Sequence, residues 1–497
     1  MSPPAGPSNP SAPTAASAGP SPATSTAASA GPSAGPSPGP DGGSPAKPGT
    51  VLLLSAGATF IAFLDTTVVN VAFPDLAKSF PADKVSDLSW VVSSYAVLFA
   101  ALLTPAGRIA DAFGRKKLFL ASLTGFTLTS ALCAVAQNLP LLITARALQG
   151  ATAAGMIPAA LGLLLATTPP QRLPAAIGAW GAAGSMATAA GPALGGVLVD
   201  AFGWRAVFLI NVPVGAALVL AGLRGLPERT GAQRQLPDPV GTTAVTAGIA
   251  LLVLGLTKGS DWGWGEAATV ASVAGGAALI ALALLRSARH RVPAVEISLF
   301  RNPTFAVSSA AAAFTGAALF AWLLSSPLFL TTVWHYSVLK AGFAVTPGAL
   351  TSAVAAVAVG KRAKPHQLPA VVAVSMAAFT AVGVWMYLGL GADAHFLSLW
   401  LPMGLVGGAA FGGALTALST AAARSLPPQQ FASGVGMTTT ARQLGGSLGV
   451  AATASVIAAH GIAGPQAYRD VFLVCALLAA GAAVVGLAMT RTLPKES

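Results

Sequence analysis

An all-α integral membrane fold follows from three observations on this chain of 497 residues: apolar runs about twenty residues long, 54% hydrophobic residues, and a charged fraction of only 8%. Ordinary soluble domains carry roughly 25% charged residues, and a core of this size could not be covered by so few. About twenty residues at 1.5 Å each cross the roughly 30 Å of hydrocarbon in a bilayer. Lipid offers the backbone no partners outside helices or closed barrels, and the apolar/polar alternation of a barrel is missing.

Runs bounded by charge, Pro or Gly predict spans near 51–74, 89–109, 117–136, 139–167, 175–199 and 204–223, then 240–257, 267–286, 304–330, 341–360, 368–390, 396–422, 431–459 and 470–490, fourteen in all. Residues 1–48 are almost entirely Pro, Ala, Ser, Gly and Thr, a composition that buries too little apolar surface to fold. With no basic segment ahead of an apolar core, they read as a disordered cytoplasmic tail and not a signal peptide.

Orientation follows from the bases. Of the 27 Lys and Arg, nineteen fall in the connections that share a side with both termini, six fall on the other side, and Arg146 and Arg442 lie within spans. Cytoplasmic loops carry the excess of Lys and Arg, which places both termini in the cytoplasm and the protein in the plasma membrane. The same distribution explains the net charge of +12 as a topology signal, so nucleic acid is not expected as a partner. Cys133 and Cys475 both sit in apolar runs without metal-type spacing, so neither a disulfide nor a metal site is expected.

Weak internal similarity divides the chain further. Pro169-Pro170-Gln171-Arg172 leads into Gly191-Pro192-Ala193-Leu194-Gly195-Gly196, and Pro427-Pro428-Gln429-Gln430 leads into Gly445-Gly446-Ser447-Leu448-Gly449, about 258 residues later. A similar shift takes the basic loop at 107–117 onto Gly360-Lys361-Arg362-Ala363-Lys364. The expected layout is a six-helix half at 49–224, a linker with two inserted helices at 225–302, a second six-helix half at 303–491, and a cytoplasmic end at 492–497.

Asp65 is the sharpest single residue. An acid at membrane depth is costly, normally faces water or a partner, and marks a pathway or proton relay; the competing reading is an acid that only fixes helix contacts. At 1.5 Å per residue Asp65 lies roughly 22 Å from the inner start of span one, and Arg146 roughly 10 Å from the outer start of span four. In a core about 30 Å thick the two share a level, which makes Arg146 the expected partner of Asp65. Arg442, near the middle of span thirteen and followed by Gln443, is expected either on the central pathway or as an anchor between helices.

The turn from Gly107 to Lys117 needs small residues so that helix ends can approach. There Asp111 has two available partners, a neighbouring helix N-terminus and Arg115, which would make a cytoplasmic latch of Gly107, Asp111, Gly114, Arg115 and Lys116. Gly360-Lys361-Arg362-Ala363-Lys364 has no acid at the matching place, so a second latch is not expected. Gly191 and Gly195 lie four apart and permit close helix packing, with Gly196 beside them and Pro192 adding a kink.

Four segments in this order resemble the major facilitator superfamily, and within it the fourteen-helix drug:proton antiporters: Leu64-Asp65-Thr66-Thr67-Val68-Val69-Asn70-Val71-Ala72, the turn Gly107 to Lys117, Arg146-Ala147-Leu148-Gln149-Gly150, and Gly191-Pro192-Ala193-Leu194-Gly195-Gly196. The resemblance covers the chain from about residue 50 onward. It implies that Arg146 takes part in proton coupling with Asp65 and that the Gly191 to Gly196 motif goes with export.

The expected function is proton-coupled export of small amphipathic or cationic compounds by a monomer, through alternating access between the two halves. The alternatives are a dedicated exporter of one endogenous metabolite or self-made antibiotic, and a non-transporting membrane sensor or scaffold. Phosphate-loop and metalloprotease motifs are missing, and His290, His335, His366, His395 and His460 do not cluster, so neither an enzyme nor a cofactor is expected. Trp90, Phe314, Phe320, Trp322, Trp334 and Trp385 are the candidate pocket aromatics, with a lipid-facing position as the competing reading.

Overall fold

A computed structural model describes residues 48–81, 85–227, 237–460 and 464–491. The expectations for the N-terminal tail and for 492–497 lie outside the described residues, as do Lys47, Lys84, Arg229, Arg234 and Lys495 of the orientation argument. Among the described residues fourteen helices are long. They are α1 (Pro48–Ser79), α2 (Trp90–Phe113), α3 (Arg115–Ala134), α4 (Leu139–Thr167), α5 (Leu173–Phe202), α6 (Asn211–Gly225), α7 (Pro239–Trp262), α8 (Ala267–Ser287), α9 (Pro303–Thr332), α10 (Val338–Arg362), α11 (Leu368–Gly389), α12 (Leu401–Arg424), α13 (Phe431–His460) and α14 (Pro465–Ala488).

Among the described residues twelve spans qualify by length and apolarity, and the bent α5, taken as one span, makes a thirteenth. The remaining long helix, α13, has 30 residues but interrupts its apolar run with Thr438, Thr439, Thr440, Arg442 and Gln443. One predicted span differs in form. The run near 204–223 begins as a separate turn, Ala206–Leu209, and resumes as α6 at Asn211, the two together making one span from Ala206 to Gly225.

Helix starts have local causes. Asn138 accepts from the Leu141 N–H at 2.9 Å, Asn302 from Thr304 at 3.0 Å, and Ser337 from Lys340 at 3.2 Å, each satisfying an otherwise orphaned donor. Asp238 caps α7 through the N–H groups of Val240 at 3.2 Å and Gly241 at 3.0 Å, and Arg286 of α8 reaches the same carboxylate. The Arg286 hydrogen bond holds the Asp238 carboxyl below the usual carboxylate range.

Packing sets the layout. α1 lies against α4, α5 and α6, and α4 also packs on α2 and α3. In the later part of the chain α9 packs on α13 and α14, α11 on α12 and α14, and α10 on α12. Two seams join these groups, α5 with α10 and α12, and α2 and α4 with α13. The α7–α8 hairpin packs through α7 on α2 and α13. The most apolar stretch of α4 is 78% buried within the protein and that of α8 only 17%, so α4 is central and α8 offers most of its surface to lipid.

The seams are made of backbone against backbone. A Cβ on Gly107 would lie 2.4 Å from the Ala432 carbonyl oxygen, and one on Gly436 2.5 Å from that of Leu103, so α2 and α13 touch where only glycine fits. The other seam repeats the arrangement, with Gly360 against Pro174 at 2.3 Å and Gly178 against Ala356 at 2.4 Å.

Candidate functional site

Five helices bring polar side chains to one point inside the apolar bundle. Asp65 of α1 and Arg146 of α4 are each 1% exposed. Arg146 Nη1 donates to Asp65 Oδ2 at 2.6 Å and to Gln149 Oε1 at 2.7 Å, while its Nε donates to the Val91 carbonyl of α2 at 3.0 Å. The other carboxylate oxygen, Asp65 Oδ1, accepts from Gln149 Nε2 at 3.1 Å and from Asn211 Nδ2 of α6 at 3.0 Å. Ser130 of α3 accepts from Gln149 and Asn211 at 3.1 and 3.0 Å and donates to the Phe208 carbonyl at 3.0 Å.

The guanidinium is also held by aromatic faces, 4.4 Å above the ring of Tyr95 and 5.6 Å from that of Phe208. A buried ion pair repays its desolvation only when further hydrogen bonds support it, and here both carboxylate oxygens and the Nε and Nη1 donors of the guanidinium are bonded. Two atoms nearby keep spare capacity: the Tyr95 hydroxyl and Asn211 Oδ1 are buried without a partner among the described residues.

Sequence reasoning paired Asp65 with Arg146 and missed Gln149, Asn211, Ser130 and Tyr95. Gln149 stood three residues after Arg146 in the same motif, a spacing that puts both on one helix face. Asn211 carried the signal of a lone carboxamide in the apolar run Phe208-Leu209-Ile210-Asn211-Val212.

The turn between α2 and α3 forms a second constellation. Gly114 takes φ 111°, a conformation that favours glycine, and lets α3 follow α2 at once. Asp111 accepts from the Ser433 N–H and hydroxyl, both at 2.7 Å, and from the Ala432 N–H at 3.3 Å, so its carboxylate sits on the positive N-terminal end of α13. Arg115 donates to Asp111 at 2.9 Å, to the Gly162 carbonyl of α4 at 3.1 Å, and to the Pro428 carbonyl ahead of α13 at 2.5 Å. Lys116 is half-buried beside this cluster and takes no part in these bonds. Both expected partners of Asp111 are therefore engaged at once. At Gly360 the helices touch backbone to backbone, against Pro174.

In α5, Gly191 and Gly195 face α1. A Cβ on Gly191 would fall 1.9 Å from Thr67 Oγ1, and one on Gly195 3.2 Å from Val71 Cβ. Gly196 looks the other way, toward Leu339 of α10 at 3.9 Å. The pieces Pro170–Thr188 and Ala193–Phe202 of this helix meet at 44°. Arg442 lines a cleft between α4 and α5 on one side and α9, α12 and α13 on the other.

A model of the Major Facilitator Superfamily matches residues 55–450. The "Probable actinorhodin transporter" of Streptomyces coelicolor is 34% identical over 446 residues, 86% of this chain and 75% of that protein. The multidrug export protein EmrB of Haemophilus influenzae is 31% identical over 415 residues, 82% of this chain and 81% of that one. In fold the chain is similar to the human organic anion transporter MFSD10, with TM-score 0.63, 17% identity, and coverage of 87% of this chain and 99% of that one. With four sequence signatures, long membrane helices and a family match that takes in the Asp65 cluster, the α2–α3 turn and the α5 motif, this multi-pass membrane protein belongs to the major facilitator superfamily.

Proposed function

We propose that this protein is a proton-coupled exporter of small amphipathic compounds from the cytoplasm. It works by alternating access between α1–α6 and α9–α14, with both termini cytoplasmic. The observation that carries the reading is the buried Asp65–Arg146 pair, 2.6 Å apart and surrounded by further donors. Protonating Asp65 cancels its attraction for Arg146 and frees a guanidinium that already bonds Gln149 and Val91. A proton thus changes how α1 and α4 are held together, the kind of local change that biases a two-state packing. The Asp111–Arg115–Ser433 contacts act as the latch at the cytoplasmic end, and the Gly191–Thr67 approach keeps α5 on the helix that bears Asp65.

Multidrug export in the EmrB relative supports a broad substrate range, while the relative named for actinorhodin supports the second reading, a dedicated exporter of one antibiotic. Reconstituted full-length protein tests the common core. An imposed proton gradient should drive ethidium or an aromatic acid across the vesicle membrane in the wild type and not in Asp65→Asn. Transport indifferent to the gradient would overturn the coupling.

A further inference from the structure

The cleft between the two helix groups carries an unusual set of polar groups. It is walled by apolar side chains such as Leu161 and Leu418, and Asp and Glu do not occur among the residues that line it. Arg442, Trp180 and Thr438 line it too. The Trp180 indole N–H and the Thr438 hydroxyl have no hydrogen-bond partner among the described residues. Arg442 is half-buried, and it makes no hydrogen bond or ion pair among the described residues. Thr438 and Arg442 are four residues apart and share a face of α13. The backbone at Arg442 packs closely on α9, since a Cβ on Gly316 would lie 2.2 Å from the Arg442 carbonyl oxygen.

A guanidinium and an indole N–H only donate, and a hydroxyl can do so. An unpaired charge in an apolar cleft is costly unless something completes it, and a planar guanidinium fork matches a carboxylate or sulfonate in both shape and charge. The apolar walls suit a flat hydrocarbon body. We infer that this cleft is a binding site for amphipathic organic anions, with Arg442 holding the acid group and Trp180 and Thr438 supplying further donors. The inference rests on the exporter reading for the site's purpose, and it narrows the amphipathic class to its anionic members.

The test uses two probes with one ring system, 1-pyrenesulfonate and 1-pyrenemethylammonium. Their binding to the full chain in neutral-detergent micelles is read as tryptophan-to-pyrene energy transfer above that of empty micelles. The sulfonate should bind the wild type at least about tenfold more tightly than the ammonium. Arg442→Gln should bring the two within about twofold, and Arg442→Lys should keep part of the preference. Thr439→Asp, which places an acid on the same cleft wall, should also abolish the preference, and it serves as the second variant where Arg442→Gln does not fold.

Equal, absent or ammonium-favouring binding in the wild type overturns the inference, as does a sulfonate preference that survives every folded variant. Gradient-driven flux in proteoliposomes separates this from the exporter reading. Flux of ethidium with no anion preference removes only the anion site. Anion-selective binding without gradient-driven flux of either probe removes only the exporter reading.

Discussion

At Asp65 one carboxylate accepts from Arg146, Gln149 and Asn211, so its replacement acts on stability as well as on proton transfer. Asp65→Asn keeps the side-chain shape but leaves the Arg146 charge buried and uncompensated. Removing one partner of a buried ion pair costs about 3–5 kcal/mol, so thermal unfolding in detergent should move to clearly lower temperature. The double variant Asp65→Asn with Arg146→Gln removes both charges and should recover most of that loss while remaining uncoupled. A double variant as unstable as the single one would mean that the pair is not the source of the cost. Recovered stability together with gradient-driven flux would mean that Asp65 is a structural acid. The pair itself was legible because depth along a helix is simple arithmetic. Ser130 was not, since which face of α3 turns inward depends on packing that the run of apolar residues does not encode.

Between elements, the Asp111 contacts tie the end of α2 to the start of α13. Asp111→Asn loses the charge that faces both Arg115 and the α13 N-terminus, interactions worth about 0.3–1 kcal/mol at a helix end and more when partly buried. The seam should open more often at that end. Cys133 and Cys475 are both buried, so a cysteine placed at Val435, on the cleft wall, can be labelled against little background. Labelling at Val435→Cys should quicken about fivefold or more in the Asp111→Asn background, and an unchanged rate would leave Asp111 without a gating role.

The hairpin offers a contrast. Asp238 caps α7 and binds Arg286, and Asp238→Ala should cost about 1 kcal/mol in the melting of the α7–α8 pair without changing Val435→Cys labelling. Because its folded carboxyl lies below the ordinary range, this stabilisation is complete above about pH 4 and is lost only as the pH falls through the lower folded value. A pH-independent hairpin would show that the cap carries none of it. The break at Ile210 and the entry of Trp180 into the cleft were not legible in the sequence, for both follow from where neighbouring helices lie. Of the candidate aromatics, Trp322 stacks on Trp400 at 6.5 Å and Trp334 meets the same ring edge-on at 5.6 Å.

Across the whole molecule, the two seams use the same construction. Gly107 and Gly436 bind α2 to α13, and Gly360 and Gly178 bind α10 to α5, each pairing a glycine with the carbonyl of the opposite helix. Such contacts are close-packed and all-or-none, because moving one helix by a fraction of an ångström either clashes or loses the contact. That favours rocking between discrete states over gradual widening, and it requires α2 and α13 to part during each cycle. Thr104 of α2 and Thr440 of α13 stand hydroxyl to hydroxyl at 2.8 Å across this seam. Thr104→Cys combined with Thr440→Cys should therefore cross-link on mild oxidation, with Cys133 and Cys475 buried out of reach. Gradient-driven flux in proteoliposomes should fall by about tenfold or more on oxidation and return with a reductant, while each single variant stays active. Full flux through the cross-linked protein would mean that α2 and α13 move as one body, and the seam that opens would then have to be sought between α5 and α10.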